Sequence, residues 1–110
     1  MAEPLIVYVT VPSKKDGERI AHRLVETHLA ACVNIIPHVE SIYRWKGRIQ
    51  MEGEFLLIIK TVRSQLNDLI KKIEKLHSYE VPEIVALPIV GGSARYLNWL
   101  DDETRPEGEK

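Results

Sequence analysis

The sequence predicts an α+β fold in which two successive β-α-β units are joined by one long β-hairpin. The first observation behind this prediction is a faint internal repeat, because Leu5–Val9 leads into Thr-Val-Pro-Ser and Leu57–Lys60 leads into Thr-Val-Arg-Ser. Short, β-branched runs of this kind are typical of buried central strands. The second is a run rich in Val, Ile, Tyr and Trp from Ala31 to Trp45, which a Lys46-Gly47 turn separates from Arg48–Thr61. Two such runs around a short glycine-containing turn indicate a hairpin.

A helical pattern follows each of the two central strands. Ser13 is a candidate N-cap for the first helix, with Asp16 three positions later. Apolar residues recur in both segments with a period of about 3.6 residues and charged residues between them. They are Ile20, Ala21, Leu24, Val25 and Leu29 in the first helix, and Leu66, Leu69, Ile70, Ile73 and Leu76 in the second. Each helix leads into another strand, at Ala31–Ile36 and at Glu83–Ile89.

The order of these elements defines the sheet topology. The hairpin makes the second and third strands antiparallel neighbours, and right-handed crossovers place the first and third strands in the centre with both helices on one face. This is the ferredoxin-like βαβ-βαβ sandwich, in which the second and fourth strands form the edges. An extra C-terminal helix begins near Ser93. We expect a single domain over residues 1–110, with about 101–110 as a frayed acidic tail.

The hairpin is longer than the domain can cover. Each arm extends roughly 45–50 Å at ~3.3 Å per residue, whereas a domain of this length is only about 35 Å across. The tip must therefore overhang, carrying apolar and aromatic side chains with it: Ile42, Tyr43, Trp45, Ile49 and Met51. Exposed apolar strand edges aggregate unless they are paired. The sequence therefore predicts that the protein is an oligomer.

The composition excludes several classes of function. The chain has 110 residues, 45% of them hydrophobic, which is enough for one globular core. A net charge of -1 leaves no basic footprint for nucleic acid, and one cysteine excludes a disulfide framework. No apolar run approaches the ~20 residues of a membrane span, and Met1–Pro4 lacks the features of a signal sequence. We expect a soluble cytoplasmic protein with neither a nucleic-acid nor a membrane partner.

Candidate metal ligands lie in the loop before the fourth strand. His77 and Glu83 flank Tyr79 and a Val81-Pro82 step that stiffens the backbone. Imidazole and carboxylate groups are ligands of first-row divalent metals. The alternative is that His77 caps the second helix and that the carboxylates are solvated.

Cys32, at the start of the second strand, is a candidate soft metal ligand or reactive thiol. The alternative is a small buried hydrophobic residue, as most free cysteines are. The repeat places Cys32 opposite Glu83 at matching starts of the two edge strands, three strand spacings or about 14 Å apart. One chain could not join them around a metal, so a shared site would lie between subunits.

The sequence shows no nucleophile–base pair, no phosphate loop and no HExxH motif, so we do not expect an enzyme. The Gly91-Gly92-Ser93 segment could bind an anion through its backbone N–H groups. A tight turn into the N-cap of the last helix explains it equally well.

Several long segments resemble the CutA divalent-cation-tolerance family. They are LAACVNIIP at 29–37, SIYRWKG at 41–47, IKT at 59–61, HSYEVPEIVALPI at 77–89 and YLNWL at 96–100. The resemblance implies a ferredoxin-like subunit in a tight homotrimer, similar in architecture to the PII signalling proteins. The family name comes from a genetic link to tolerance of copper and other divalent cations.

The sequence departs from the family at its proposed copper ligands. Enterobacterial members have a Cys before the Thr that ends the first strand and two consecutive His before the Tyr, whereas Val9, Leu76 and His77 stand at those positions here. The resemblance implies a homotrimer that responds to divalent ions such as Cu(II). Our own hypothesis is that no cofactor is required and that the trimer binds such ions weakly at intersubunit sites that include His77, together with Glu83 or Cys32. The alternative is a PII-like signalling or scaffold trimer that binds a small anion or a protein and has no direct metal role.

Overall fold

The computed structural model describes residues 3–106, which form one four-stranded sheet and three α-helices. The elements in chain order are β1 (Pro4–Val11), α1 (Lys14–Glu26), β2 (Cys32–Trp45), β3 (Arg48–Val62), α2 (Leu66–Leu76), β4 (Ile84–Pro88) and α3 (Ala94–Glu103). A short 3-10 turn over Arg63–Gln65 leads into α2. No helix among residues 3–106 combines the length and the apolar character needed to cross a membrane.

The sheet is antiparallel throughout and its strand order is β2-β3-β1-β4. The predicted topology is therefore confirmed, with β1 and β3 in the centre and β2 and β4 at the edges. Alternate residues of the central strands point towards α1 and α2 and form the main core with them, including Val7, Val9, Leu57, Ile59, Ile20, Leu24, Leu69 and Ile73. Complete burial of each such side chain stabilises the fold by about 1.5–3 kcal/mol.

The opposite face of the sheet is only partly covered. The last helix, α3, packs near one end of it, where Leu100 meets Ala31 and Val62. Ser93 is the N-cap of α3, because its hydroxyl oxygen accepts a hydrogen bond from the Tyr96 N–H at 3.4 Å. The N-cap interpretation of the Gly91-Gly92-Ser93 segment is thus confirmed. Ser13 caps α1 in the same way, accepting from the Asp16 N–H at 3.1 Å.

The hairpin of β2 and β3 overhangs the rest of the domain, as predicted. Its strands contain 14 and 15 residues, and the molecule measures 46 × 26 × 22 Å. Lys46 and Gly47 join them with positive φ values of 51° and 78°, which is the backbone of a type I′ turn. This turn matches the right-handed twist of the strands and so sets their register.

A β-bulge divides β2 into two halves. The pairing with β3 shifts between Ile36 and Val39, and His38 adopts a φ of 62° within the bulge. One extra residue in β2 changes which side chains share a face. As a result Ile36 and Tyr43 both lie on the open face of the sheet, although one precedes the bulge and the other follows it.

The prediction of a frayed tail is wrong for residues 101–105. Asp101–Glu103 complete α3, and Thr104 is 2% exposed with its backbone oxygen accepting from the Gln65 side chain at 2.8 Å. The carboxylates of Asp101 and Asp102 pair with Arg105. The burial of Thr104 and its hydrogen bond from Gln65 hold the segment in place. Residues 107–110 of the expected tail lie outside the described residues.

Candidate functional site

The loop between α2 and β4 is organised around His77. This residue is the C-cap of α2 and is 8% exposed. Its Nε2 lies 2.8 Å from the backbone oxygen of Thr10, to which it donates, and its Nδ1 accepts from the Tyr79 N–H at 3.0 Å. This pair of bonds defines the neutral tautomer with the proton on Nε2. A metal could bind Nδ1 only after displacing the Tyr79 N–H.

Tyr79 connects this loop to the central strand β3. Its hydroxyl donates to Glu54 Oε2 at 2.7 Å, and its ring packs against the ring of His77 with centroids 4.7 Å apart. Glu54 is only 6% exposed, so its carboxylate depends on this phenol for a partner. The sequence analysis missed Glu54. A glutamate directly before the apolar run that begins at Phe55 was the signal that could have identified it.

Two phenols and two carboxylates share this end of the sheet. Burial, the hydrogen bond to Glu54 and the negative charges of Glu54 and Glu52 all raise the pKa of Tyr79. The pKa of Tyr43 is also raised, by desolvation and by its hydrogen bond to Glu52. In both tyrosines the neutral phenol is therefore the form that fits the folded chain.

We expect replacement of Tyr79 by phenylalanine to change the pH dependence of stability. Because folding raises the pKa of Tyr79 above the unfolded value of 10.0, the folded state retains the proton longer. The contribution of protonated Tyr79 to the free energy of unfolding is complete below pH 10.0 and declines as the pH rises above that value. The Tyr79→Phe variant should lack this part of the decline, while losing about 1–3 kcal/mol at neutral pH because the buried carboxylate loses its donor.

Urea unfolding on both sides of pH 10.0 measures the effect. Tyr8→Phe, a change on β1 away from the network, is the matched control and should retain the wild-type pH profile. Parallel profiles for Tyr79→Phe and the wild type would contradict the assignment.

The structure does not bring Cys32 and Glu83 to matching ends of the sheet, so that expectation is wrong. Cys32 pairs with Lys60, Lys60 with Ile6, and Ile6 with Leu87. The antiparallel arrangement puts the starts of β2 and β4 at opposite ends. Glu83 lies four residues from Leu87, which makes its separation from Cys32 about 19 Å rather than about 14 Å. Across residues 3–106, no three His, Cys, Asp or Glu side chains are close enough to hold a metal ion together.

Cys32 lies half-buried on the open face of the sheet. Its thiol lies 3.9 Å from Asn34 Oδ1, which also accepts from Lys60 Nζ. Burial raises the pKa of Tyr96, and the nearby Cys32 thiol raises it further. Cys32 therefore has polar neighbours and is not one of the fully buried core residues.

Large exposed hydrophobic residues lie on the overhanging hairpin and around β4 and α3. We define the hairpin patch as Ile36, Ile42, Tyr43, Trp45, Ile49 and Met51. We define the β4–α3 patch as Val81, Val85, Leu87, Val90, Tyr96 and Trp99. Exposed apolar side chains on both edge strands indicate interaction sites.

The sequence model of the CutA1 divalent ion tolerance protein family matches residues 5–103. A chloroplastic CutA protein of Arabidopsis thaliana is 50% identical over 101 residues, which cover 92% of this chain and 56% of that protein. The chain therefore spans little more than half the length of this relative. The divalent-cation tolerance protein CutA of Thermus thermophilus is 48% identical over 99 residues, 90% of this chain and 96% of that protein.

Solved structures show the same fold. The crystal structure of CutA1 from Oryza sativa is similar with a TM-score of 0.92 and 49% identity, covering 94% of this chain and 95% of that one. The divalent cation tolerance protein of Thermus thermophilus gives a TM-score of 0.91 with 47% identity, covering 93% and 99% of the two chains.

Proposed function

This chain belongs to the CutA1 divalent ion tolerance family, and we propose that it is a homotrimer that contributes to tolerance of divalent cations by binding them weakly between subunits. The names of its relatives support the tolerance role. The observation that supports the assembly is the presence of exposed apolar residues on both edge strands of one sheet, among them Ile36 on β2 and Leu87 on β4. We also propose a cytoplasmic, non-enzymatic protein that needs no permanently bound cofactor.

The position of the two patches favours a ring. A patch that met its own copy would give a two-fold dimer, whereas two different patches that meet give a head-to-tail contact, which closes into a ring when the rotation between neighbours is a whole fraction of a turn. In this arrangement the β2 edge of one chain lies beside the β4 edge of the next. The unpaired backbone groups of both edges would then be satisfied, as open sheet edges require.

The boundary between subunits is also where we place cation binding. Cys32 lies on the β2 edge and Glu83 immediately precedes β4, so a head-to-tail ring brings residues of both edges to one boundary. His77 could bind the cation through Nδ1 only if it lost the hydrogen bond that Nδ1 accepts from the Tyr79 N–H. A hydrogen bond left unmade costs about 1–3 kcal/mol, which weakens binding roughly 5- to 150-fold. This cost supports weak binding of ions such as Cu(II).

Calorimetric titration of the protein with Cu(II) and Zn(II) tests the metal proposal. We expect weak binding that Cys32→Ser reduces for Cu(II) and that Glu83→Gln reduces for both ions, because these side chains supply the ligands. Glu80→Gln, an exposed carboxylate of the same loop, is the control and should bind like the wild type. Equal affinities in the wild type and in both test variants would contradict the site.

The alternative is a PII-like signalling trimer that binds a small anion or a protein partner. A shallow groove beside the C-terminal end of α2 is the candidate site for such an anion, since Arg19, His22 and Arg23 of α1 line it together with the carboxylates of Glu18 and Glu26. Arg19 already donates to the backbone oxygen of Leu76 at 2.9 Å, which leaves Arg23 as the principal cation for a ligand. A thermal-shift screen of nucleotides and small anionic metabolites in which none raises the melting temperature would count against the small-anion form of this alternative.

A further inference from the structure

The last helix, α3, is held to the rest of the chain mainly at its C-terminal end. Of its ten residues, all of them within the described part of the chain, only Leu100 is buried, and it packs into the small apolar cluster at that end of the sheet. Two hydrogen bonds fix the turn that follows. Gln65 donates to the backbone oxygen of Thr104 at 2.8 Å, and His28 donates through Nδ1 to that of Glu103 at 3.0 Å.

The N-terminal half of α3 is largely exposed. Tyr96 and Trp99 are each 42% exposed, and the phenol of Tyr96 forms a hydrogen bond with the Cys32 thiol, which is a weak partner. A helix of ten residues is shorter than the ~12–15 residues at which isolated helices become marginally stable in water. An undocked α3 would therefore unravel.

The linker before α3, residues 90–93, contains two glycines that the fold of the single chain does not require. All four linker residues are exposed. A methyl group at Gly91 would meet nothing within 4 Å, and one at Gly92 would meet the Leu97 side chain at an ordinary 3.6 Å. Among the described residues, Gly47 is the only glycine with a positive φ. Because an ordered glycine loses more conformational freedom than any other residue, the pair is best explained by motion.

We propose that α3 is a hinged arm, which undocks about Gly91 and Gly92 in a single chain and is fixed in place when a second copy of the chain covers it. This inference rests on the proposed trimer, in which Tyr96 and Trp99 of the β4–α3 patch meet the next subunit. Assembly then holds α3 at the end that its own chain leaves exposed. Since only the docked arm presents these two rings to the next subunit, docking and assembly strengthen each other.

Hydrogen exchange followed by mass spectrometry tests the arm on the full chain. Ile36→Glu, which should oppose assembly through its new carboxylate, supplies the monomer. In this variant we expect the amides of α3 to exchange roughly 100-fold or more faster than those of α1 and α2, because the arm opens without the rest of the fold. In the wild-type trimer the exchange of α3 should be slower by roughly 5- to 150-fold. Amides of α3 as protected as those of α1 in the monomer would overturn the proposal.

The two glycines are tested in the same monomeric background. Combining Gly91→Ala and Gly92→Ala should slow the exchange of α3 roughly four- to 25-fold, because alanine restricts the undocked linker. The matched control is Gly53→Ala on β3, where a methyl group also meets nothing within 4 Å. This control should leave the exchange of α3 unchanged, since β3 stays folded when the arm opens. Equal rates of α3 exchange in the two glycine variants would contradict the hinge.

Light scattering separates the arm from the trimer on which it rests. In an otherwise wild-type chain, Gly91→Ala combined with Gly92→Ala should leave the assembly intact. Loss of the trimer in this variant would show that the glycines serve a close approach of the neighbouring subunit, which overturns the hinge. A wild-type chain that is monomeric would overturn the fixing of α3 by assembly, whereas the exchange rates of the single chain decide the hinge separately.

Discussion

A single glutamate placed at either edge of the sheet should convert the proposed trimer into monomers. Leu87 on β4 and Ile36 on β2 belong to opposite patches, and both lie on the open face with about two-fifths of the side chain exposed. In one isolated chain each new carboxylate stays in water and costs little. In a head-to-tail ring every boundary would bury it without a partner, at a cost of several kcal/mol. We therefore expect Leu87→Glu and Ile36→Glu to fold normally and to lose the assembly.

Light scattering at micromolar concentration measures the effect as a fall from three chain masses to one. Val25→Glu is the matched control, since Val25 is exposed to the same degree, 43%, as Leu87 but lies on α1. That variant should remain a trimer. A wild-type protein that is already monomeric, or a Val25→Glu variant that dissociates equally, would refute the proposed interface.

The features that the sequence predicted correctly depend on local patterns. The helical periodicity and the Lys46-Gly47 turn are determined by residues close together in the sequence. Because the crossovers are right-handed, these elements can then form only one sheet topology. The overhanging tip followed from strand length alone. These patterns decide which strands lie at the edges, and hence where exposed apolar residues such as Leu87 must be covered.

The arrangement of the candidate site depends on contacts between distant residues, which is why the sequence did not reveal it. Glu54 meets Tyr79 only because the loop after α2 folds over the end of β1. The alignment of Cys32 with Glu83 failed for a related reason, because the repeat preserves positions within each unit while the antiparallel sheet reverses β4 relative to β2. The bulge at His38 is a third example, since one inserted residue changes the face of all that follow.

Replacing His77 by alanine should destabilise the chain by roughly 3 kcal/mol, because the imidazole makes two partly buried hydrogen bonds, and each partner left unpaired costs about 1–3 kcal/mol. The Thr10 oxygen would lose its donor and the Tyr79 N–H its acceptor. The Tyr79 ring would also lose its packing partner. Urea unfolding in the presence of a metal chelator isolates this structural effect from any bound ion.

Two further variants test this role of His77. In His77→Gln the amide nitrogen can reach the position of Nε2 and donate to Thr10, so part of the lost stability should return. His22→Ala, which removes an exposed imidazole from α1, should stay within about 0.5 kcal/mol of the wild type. If His77→Ala unfolds at the wild-type urea concentration in chelator, the imidazole has no structural role.

If His77→Ala is destabilised as expected, weaker cation binding by this variant would not identify His77 as a ligand, because the variant has also lost the conformation of the loop that positions Glu83. The Cys32→Ser and Glu83→Gln variants then carry the test of the metal site, since they leave the bonds of His77 in place.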